Sequence, residues 1–239
     1  MKNTALISNI EFDYKESYLN KCFLTFDIDW APDFVLEEIL NILDRFNIKG
    51  TFFATHETNM NQIIKGKGHE LGAHPNFNPL LLNKQETQTA ESILDNILKI
   101  DSDITSIRSH STTQSSVLLK LFLEKNIFYE CNDFIPFESG IVLKPFSVWG
   151  GKMCKVPYFW EDDISFFQDN RSSIKQLLLY EGLKVFDFHP IHIYLNSSSM
   201  KQYETIKTDM KNQELVNKGI NHQEFGVKDF FINLLETIS

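Results

Sequence analysis

Apolar residues first gather in "CFLTFDID" (22–29), a short run rich in β-formers that ends in two aspartates and predicts a buried strand. In "APDFVLEEILNILDRFNIKG" (31–50), Leu36, Ile39, Leu40, Leu43 and Phe46 recur at helical spacing, with Asp33 as the expected N-cap and Gly50 closing the unit. "TFFAT" (51–55) predicts a second strand. Strand, helix and strand within ~30 residues make a βαβ unit, which implies parallel pairing. The alternation continues with a strand at 70–73, a helix over 83–100, a strand at 105–109 and a helix over 115–126. Strands at 127–131 and 152–159, a helix over 172–182 and a strand at 183–190 follow. Residues 196–224 are polar and read as a long surface insertion, and 227–238 form a closing helix. With no Pro/Gly-rich linker and no internal repeat, residues 1–239 are expected to form a single α/β domain. About seven parallel strands with helices between them fit a barrel or a doubly wound sheet; periodicity does not choose.

Composition narrows the partners. The 239 residues are 42% hydrophobic and 23% charged, ordinary for a folded soluble chain. A net charge of −9 without a basic face argues against nucleic acid. No stretch approaches the ~20 apolar residues that span a bilayer. The N-terminus carries acids early and does not read as a secretory signal, so a cytoplasmic location is expected. Cys22, Cys131 and Cys154 are isolated and suggest neither a disulfide framework nor a thiolate zinc site.

Parallel α/β folds build their sites at the C-terminal ends of the strands. Strand ends here deliver Asp27 and Asp29, then His56, then His74, then Arg108 and His110, and finally His189 with His192 nearby. A lone histidine or aspartate in such a place is usually a structural group or a cap, and His69 and His222 fit that description. The convergence of Asp27, Asp29, His74, His110 and His189 does not. Two carboxylates two residues apart on one strand point the same way and repel, so a cation is expected to offset them. Histidine and carboxylate donors without cysteine suit zinc or a similar divalent ion. Such an ion with a free carboxylate and a free imidazole is equipment for hydrolysis.

In order and spacing, "LTFDID", "KGTFFAT", "GHELGAH", "IRSHS" and "VFDFHP" resemble the polysaccharide deacetylase (NodB-homology) family, carbohydrate esterase family four, over roughly residues 20 to 192. "TFDIDWAPD" and "GAHPNFNP" look more closely like its WbmS-type branch, associated with O-antigen biosynthesis. The resemblance implies a distorted (β/α)7-type barrel. By the same resemblance Asp27 is the general base, Asp29 and His74 are metal ligands, Arg108 orients the catalytic carboxylate and His189 is the general acid. The family's second ligand histidine is replaced by Asn78. Asn78 itself, the surplus His110, or His56 is therefore expected to complete the shell, unless the metal is lost. Trp160 and Asp162, in "VPYFWEDD", occupy the place of the segment that walls the substrate groove, and His56 and His192 are assigned to the substrate side.

The expected activity is metal-dependent, zinc being the expected ion. It removes an N-acyl group, most simply acetyl, from a nucleotide- or lipid-linked sugar during surface-polysaccharide assembly. The rival expectations are a barrel that binds a sugar or a partner without catalysis, and hydrolysis of a sugar amide. The oligomeric state is not legible.

Overall fold

The computed structural model describes residues 4–82, 88–168 and 172–239. Ten strands form one sheet: β1 (Thr4–Ala5), β2 (Cys22–Asp27), β3 (Thr51–Ala54), β4 (Glu70–Ala73), β5 (Ser106–Ile107), β6 (Tyr129–Glu130), β7 (Phe146–Val148), β8 (Met153–Lys155), β9 (Trp160–Glu161) and β10 (Lys184–Phe188). Their spatial order is β7-β8-β6-β5-β4-β3-β2-β10-β9, with β1 paired to β2. Every pairing is parallel except β7 with β8.

The helices on the outside are α1 (Asp33–Phe46), α2 (Asn59–Gly66), α3 (Asn78–Leu81), α4 (Ala90–Leu98), α5 (Ser116–Glu124), α6 (Asp162–Ser165), α7 (Ile174–Leu178), α8 (Pro190–Leu195), α9 (Met200–Ile206), α10 (Gln213–Lys218) and α11 (Val227–Ile238). Among the described residues, no helix is long and apolar enough to cross a membrane.

The sheet is strongly curled, and one side chain demonstrates it. Arg108 leaves the end of β5, yet its guanidinium meets Thr25 on β2 and Asp187 on β10. Those strands lie three and four places away in the sheet. In a flat sheet each place is ~4.8 Å, so no arginine would span the gap. The curl places a polar inside against an aromatic outside. On β2, Thr25 and Asp27 point inward with Arg108, while Phe26 points outward, stacked on Phe52 at 4.5 Å and edge-on to Phe231 of α11 at 5.8 Å. On β10, Asp187 points inward while Phe188 meets Phe231 at 4.9 Å. Burying such a ring is worth about 1.5–3 kcal/mol, so this aromatic layer clamps the helices to the sheet.

Several expectations are corrected. Asp33 is the first helical residue of α1, whose N-cap is Pro32; its carboxylate accepts a hydrogen bond from Thr58 instead. The strand expected at 152–159 ends at Lys155, and β9 begins only at Trp160. The helix expected over 83–100 is seen as α4, residues 83–87 lying outside the described residues. Within the polar stretch 196–224 the chain forms α9 and α10, which bury Ile206 and Val216. The three cysteines are free and buried, and burial pushes the Cys154 thiol up to about 12.

Candidate active site

The rim formed by the C-terminal strand ends gathers the polar residues. β2 ends at Asp27, and the chain then makes a tight turn in which Ala31 N–H donates to the Ile28 carbonyl at 2.8 Å. The two central residues, Asp29 and Trp30, have φ of 44° and 57°. Two positive φ values in succession suit glycine or asparagine, so this turn is strained for Trp30. The strain has a geometric result: it brings the Asp29 carboxylate back over the same rim as Asp27.

Asp29 Oδ1 lies 3.1 Å from His74 Nε2 and 3.0 Å from His110 Nδ1. Asp29, His74 and His110 offer ligand atoms that all lie within 4.8 Å of one another. Burial alone would raise the Asp29 carboxyl, but hydrogen bonds from His110 and His74 hold it well below the usual carboxylate range. The donor set fits a divalent cation. In a tetrahedral zinc shell with bonds near 2.0–2.2 Å, neighbouring donors sit ~3.3 Å apart, close to the two separations found here. Both imidazoles face the same carboxylate oxygen, Asp29 Oδ1.

Asp27 is beside this cluster and held separately. Its Oδ1 accepts from Arg108 Nη1 at 3.0 Å, and its Oδ2 is 3.6 Å from His74 Nδ1. Arg108 is buried, lies 4.4 Å from the Tyr158 ring centre and 4.8 Å from that of Phe53, and also grips Asp187. Opposite stands His189, whose Nε2 is 3.7 Å from Asp29 Oδ2. Its Nδ1 is 2.7 Å from Asp162 Oδ1, and its backbone N–H donates to Asp162 Oδ2 at 2.8 Å. Burial alone would lower the His189 pKa, but the charge and hydrogen bond of Asp162 raise it well above the ordinary imidazole value. The ring stands with its Nε2 side toward Asp29.

Other expected residues fall elsewhere. Asn78 spends its side-chain amide on a neighbouring loop, Nδ2 donating to Ser111 Oγ and Oδ1 accepting from Thr113 Oγ1. His56 is outside the donor cluster, its Nδ1 2.9 Å from Thr55 Oγ1. Trp160 is 7% exposed, stacks at 4.5 Å on Phe230 of α11 and lines a pocket with Ser173, Ile174 and Phe225 rather than with the rim residues. Asp162 is fully buried behind His189, so it orients that ring rather than touching substrate. His192 is buried as well, its Nδ1 3.2 Å from Ser197 Oγ and its ring edge-on to His189. Burial pushes it down to about 3 and keeps it neutral.

Two acids, Asp187 fully buried and Glu161 partly so, had escaped notice. Asp187 joins Arg108 and Thr25, and burial raises its carboxyl despite the arginine. Glu161 lies beside it in register, accepts from Tyr158 Oη at 3.1 Å and is likewise raised by burial. Strand alternation could have found Asp187, since it precedes His189 by two residues just as Asp27 precedes Asp29.

Comparison with known proteins identifies the family. The family WbmS-like, polysaccharide deacetylase, matches residues 24–207. A crystal structure from Bordetella bronchiseptica, described as a polysaccharide deacetylase (WbmS) involved in O-antigen biosynthesis, shares 37% identity with a TM-score of 0.92. That match covers 100% of this chain and 99% of the other. A Mycobacterium smegmatis structure shares the fold at 16% identity and a TM-score of 0.54, covering 99% and 90% of the two chains. No curated protein sequence matches significantly. With a family match over most of its length and a full-length relative of this similarity, the chain belongs to the WbmS-like polysaccharide deacetylases.

Proposed function

We propose that the chain removes an N-acetyl group from an amino sugar during assembly of an O-antigen-type polysaccharide, with a divalent ion, zinc, held by Asp29, His74 and His110. The observation that carries this reading is the convergence of those three donors between two differently tuned groups, Asp27 and His189. When bound, the ion supplies Lewis acidity that polarises the acyl carbonyl and acidifies water.

The chain's own residues do the rest. Arg108 occupies one oxygen of Asp27 and holds the carboxylate in place, leaving the other oxygen to take a proton from the attacking water. Asp162 fixes the imidazole of His189 in orientation and keeps it charged, so that its Nε2 proton can pass to the departing sugar nitrogen. The products are acetate and a free amine. Asp187 shares Arg108 with Asp27 and so sets where the guanidinium sits. A nucleotide- or lipid-linked precursor in the cytoplasm is the proposed substrate, and three free buried thiols suit a reducing compartment.

Two measurements test the proposal together: metal content of protein purified without chelator, and the mass of N-acetylated sugar precursors after incubation. Stoichiometric zinc and a product lighter by one acetyl group are expected. A metal-free protein, or loss of ammonia from a sugar amide instead, would overturn it.

A further inference from the structure

Asn78 opens α3, and both ends of its side-chain amide are spent on one loop. Nδ2 donates to Ser111 Oγ at 3.1 Å, and Oδ1 accepts from Thr113 Oγ1 at 3.3 Å. That loop directly follows His110. It carries two consecutive left-handed residues, Ser111 at φ 54° and Thr112 at φ 49°. Neither is glycine, so the backbone is held there against its local preference. The loop's start is held from the same side, where His110 N–H donates to the Pro75 carbonyl at 3.0 Å. Segment 74–78 therefore supplies His74 to the donor cluster and grips, at both ends, the loop that supplies His110.

We propose that Asn78 is a positioning residue: its amide locks the 110–113 loop so that the His110 imidazole meets Asp29 and His74. An amide suits the task because it offers a donor and an acceptor side by side to two hydroxyls; a carboxylate could only accept. The inference rests on the metal-binding reading above and deepens it, by naming what makes His110 available as a third donor.

The test is a cobalt(II) titration of the full chain, after chelation and dialysis, read by visible absorption. Asn78→Ala is expected to weaken binding on the order of 10–100-fold, the range for groups that orient a metal's ligands. Its saturated spectrum should match wild type, because the donors themselves are unchanged. Thr113→Val should weaken binding in the same direction. The double variant should fall short of the sum of the two single losses, since both remove the Asn78–Thr113 contact, while Thr113→Val also takes the hydroxyl from the His110 carbonyl 3.3 Å away. Asn78→Asp, which keeps the acceptor for Thr113, should recover part of the affinity.

Wild-type affinity in both Asn78→Ala and Thr113→Val would overturn the inference while leaving the metal site standing. A saturated Asn78→Ala spectrum that has lost a ligand would overturn it too, by making the amide a ligand. If Asn78→Ala does not fold, Thr113→Val decides. A wild-type chain that takes up no cobalt or zinc would remove the metal reading itself, and this inference with it.

Discussion

Strand β4 is flanked by two histidines, and their fates differ completely. His69, at its base, is 5% exposed and His74, at its top, 2%. Burial therefore does not separate them. His69 Nδ1 accepts the Gly50 N–H at 3.1 Å, and its ring sits edge-on to Phe52. Burial, with the Lys49 charge acting the same way, pushes it down to about 4. His74 faces Asp27 and Asp29 and lies 5.4 Å, centre to centre, from the His110 ring. What separates the two is which end of a parallel strand they occupy. The loops that follow the strands converge on one rim, and only there do residues from distant parts of the chain meet.

The sharpest way to break this comparison is to truncate each histidine in turn. His74→Ala, like Asp29→Ala, should abolish both bound metal and deacetylation, whereas His69→Ala should leave metal content unchanged in the folded protein. Elemental analysis reads the difference, and a metal-bearing His74→Ala protein would erase the distinction.

Next in size are the two proton-transfer groups. Asp27→Asn and His189→Gln should each lower kcat by about 10²–10⁴ while the metal is retained, since neither is among the three proposed donors. Near-wild-type turnover in either variant would contradict its role.

A smaller loss, on the order of 10–100-fold, is expected for Asp162→Asn, because it loosens an imidazole rather than removing it. Asp162 raises the His189 pKa, so its removal should lower that pKa. The alkaline limb of kcat/KM, where the acid must still hold its proton, should then move to lower pH. An unmoved limb would make Asp162 a packing residue.

The smallest effect belongs to His69. Its folded pKa of about 4 lies below the ~6.5 of an unfolded histidine, so between those values the unfolded chain binds more protons. Stability should therefore fall as pH drops from ~6.5 toward ~4, by up to about 3 kcal/mol from this group. His69→Leu should cost about 1–3 kcal/mol at neutral pH by leaving the Gly50 N–H unpaired, yet flatten that acid slope. Urea melts at the two pH values measure it, and an unchanged slope would assign the acid sensitivity elsewhere.

Local pattern was enough for β2, α1, β3, β4 and α11, because a strand or helix buried on one face writes its period into the sequence. It was also enough to find Asp27, Asp29, His74, Arg108 and His189, since each follows an apolar strand and the ends of parallel strands share one rim. Short or irregular elements were not legible in the same way. β9 is only two residues long, and the helices inside 196–224 were not resolved from the sequence because α9 and α10 bury few residues each.

What the chain's order could not decide was which side chains meet across the curl. Trp160 and Asp162 read as one groove wall, but one faces the helices outside and the other lies behind His189. The sequence by itself determined the parallel α/β class and which polar residues the strand ends carry. Tertiary structure decided that His110 joins Asp29 and His74 while Asn78 turns to the loop beside them. The physical reason is that spacing along a strand constrains direction, while distance between strands depends on sheet curvature and on turns such as Asp29–Trp30 and Ser111–Thr112, whose backbone is held against local preference by contacts from elsewhere in the chain.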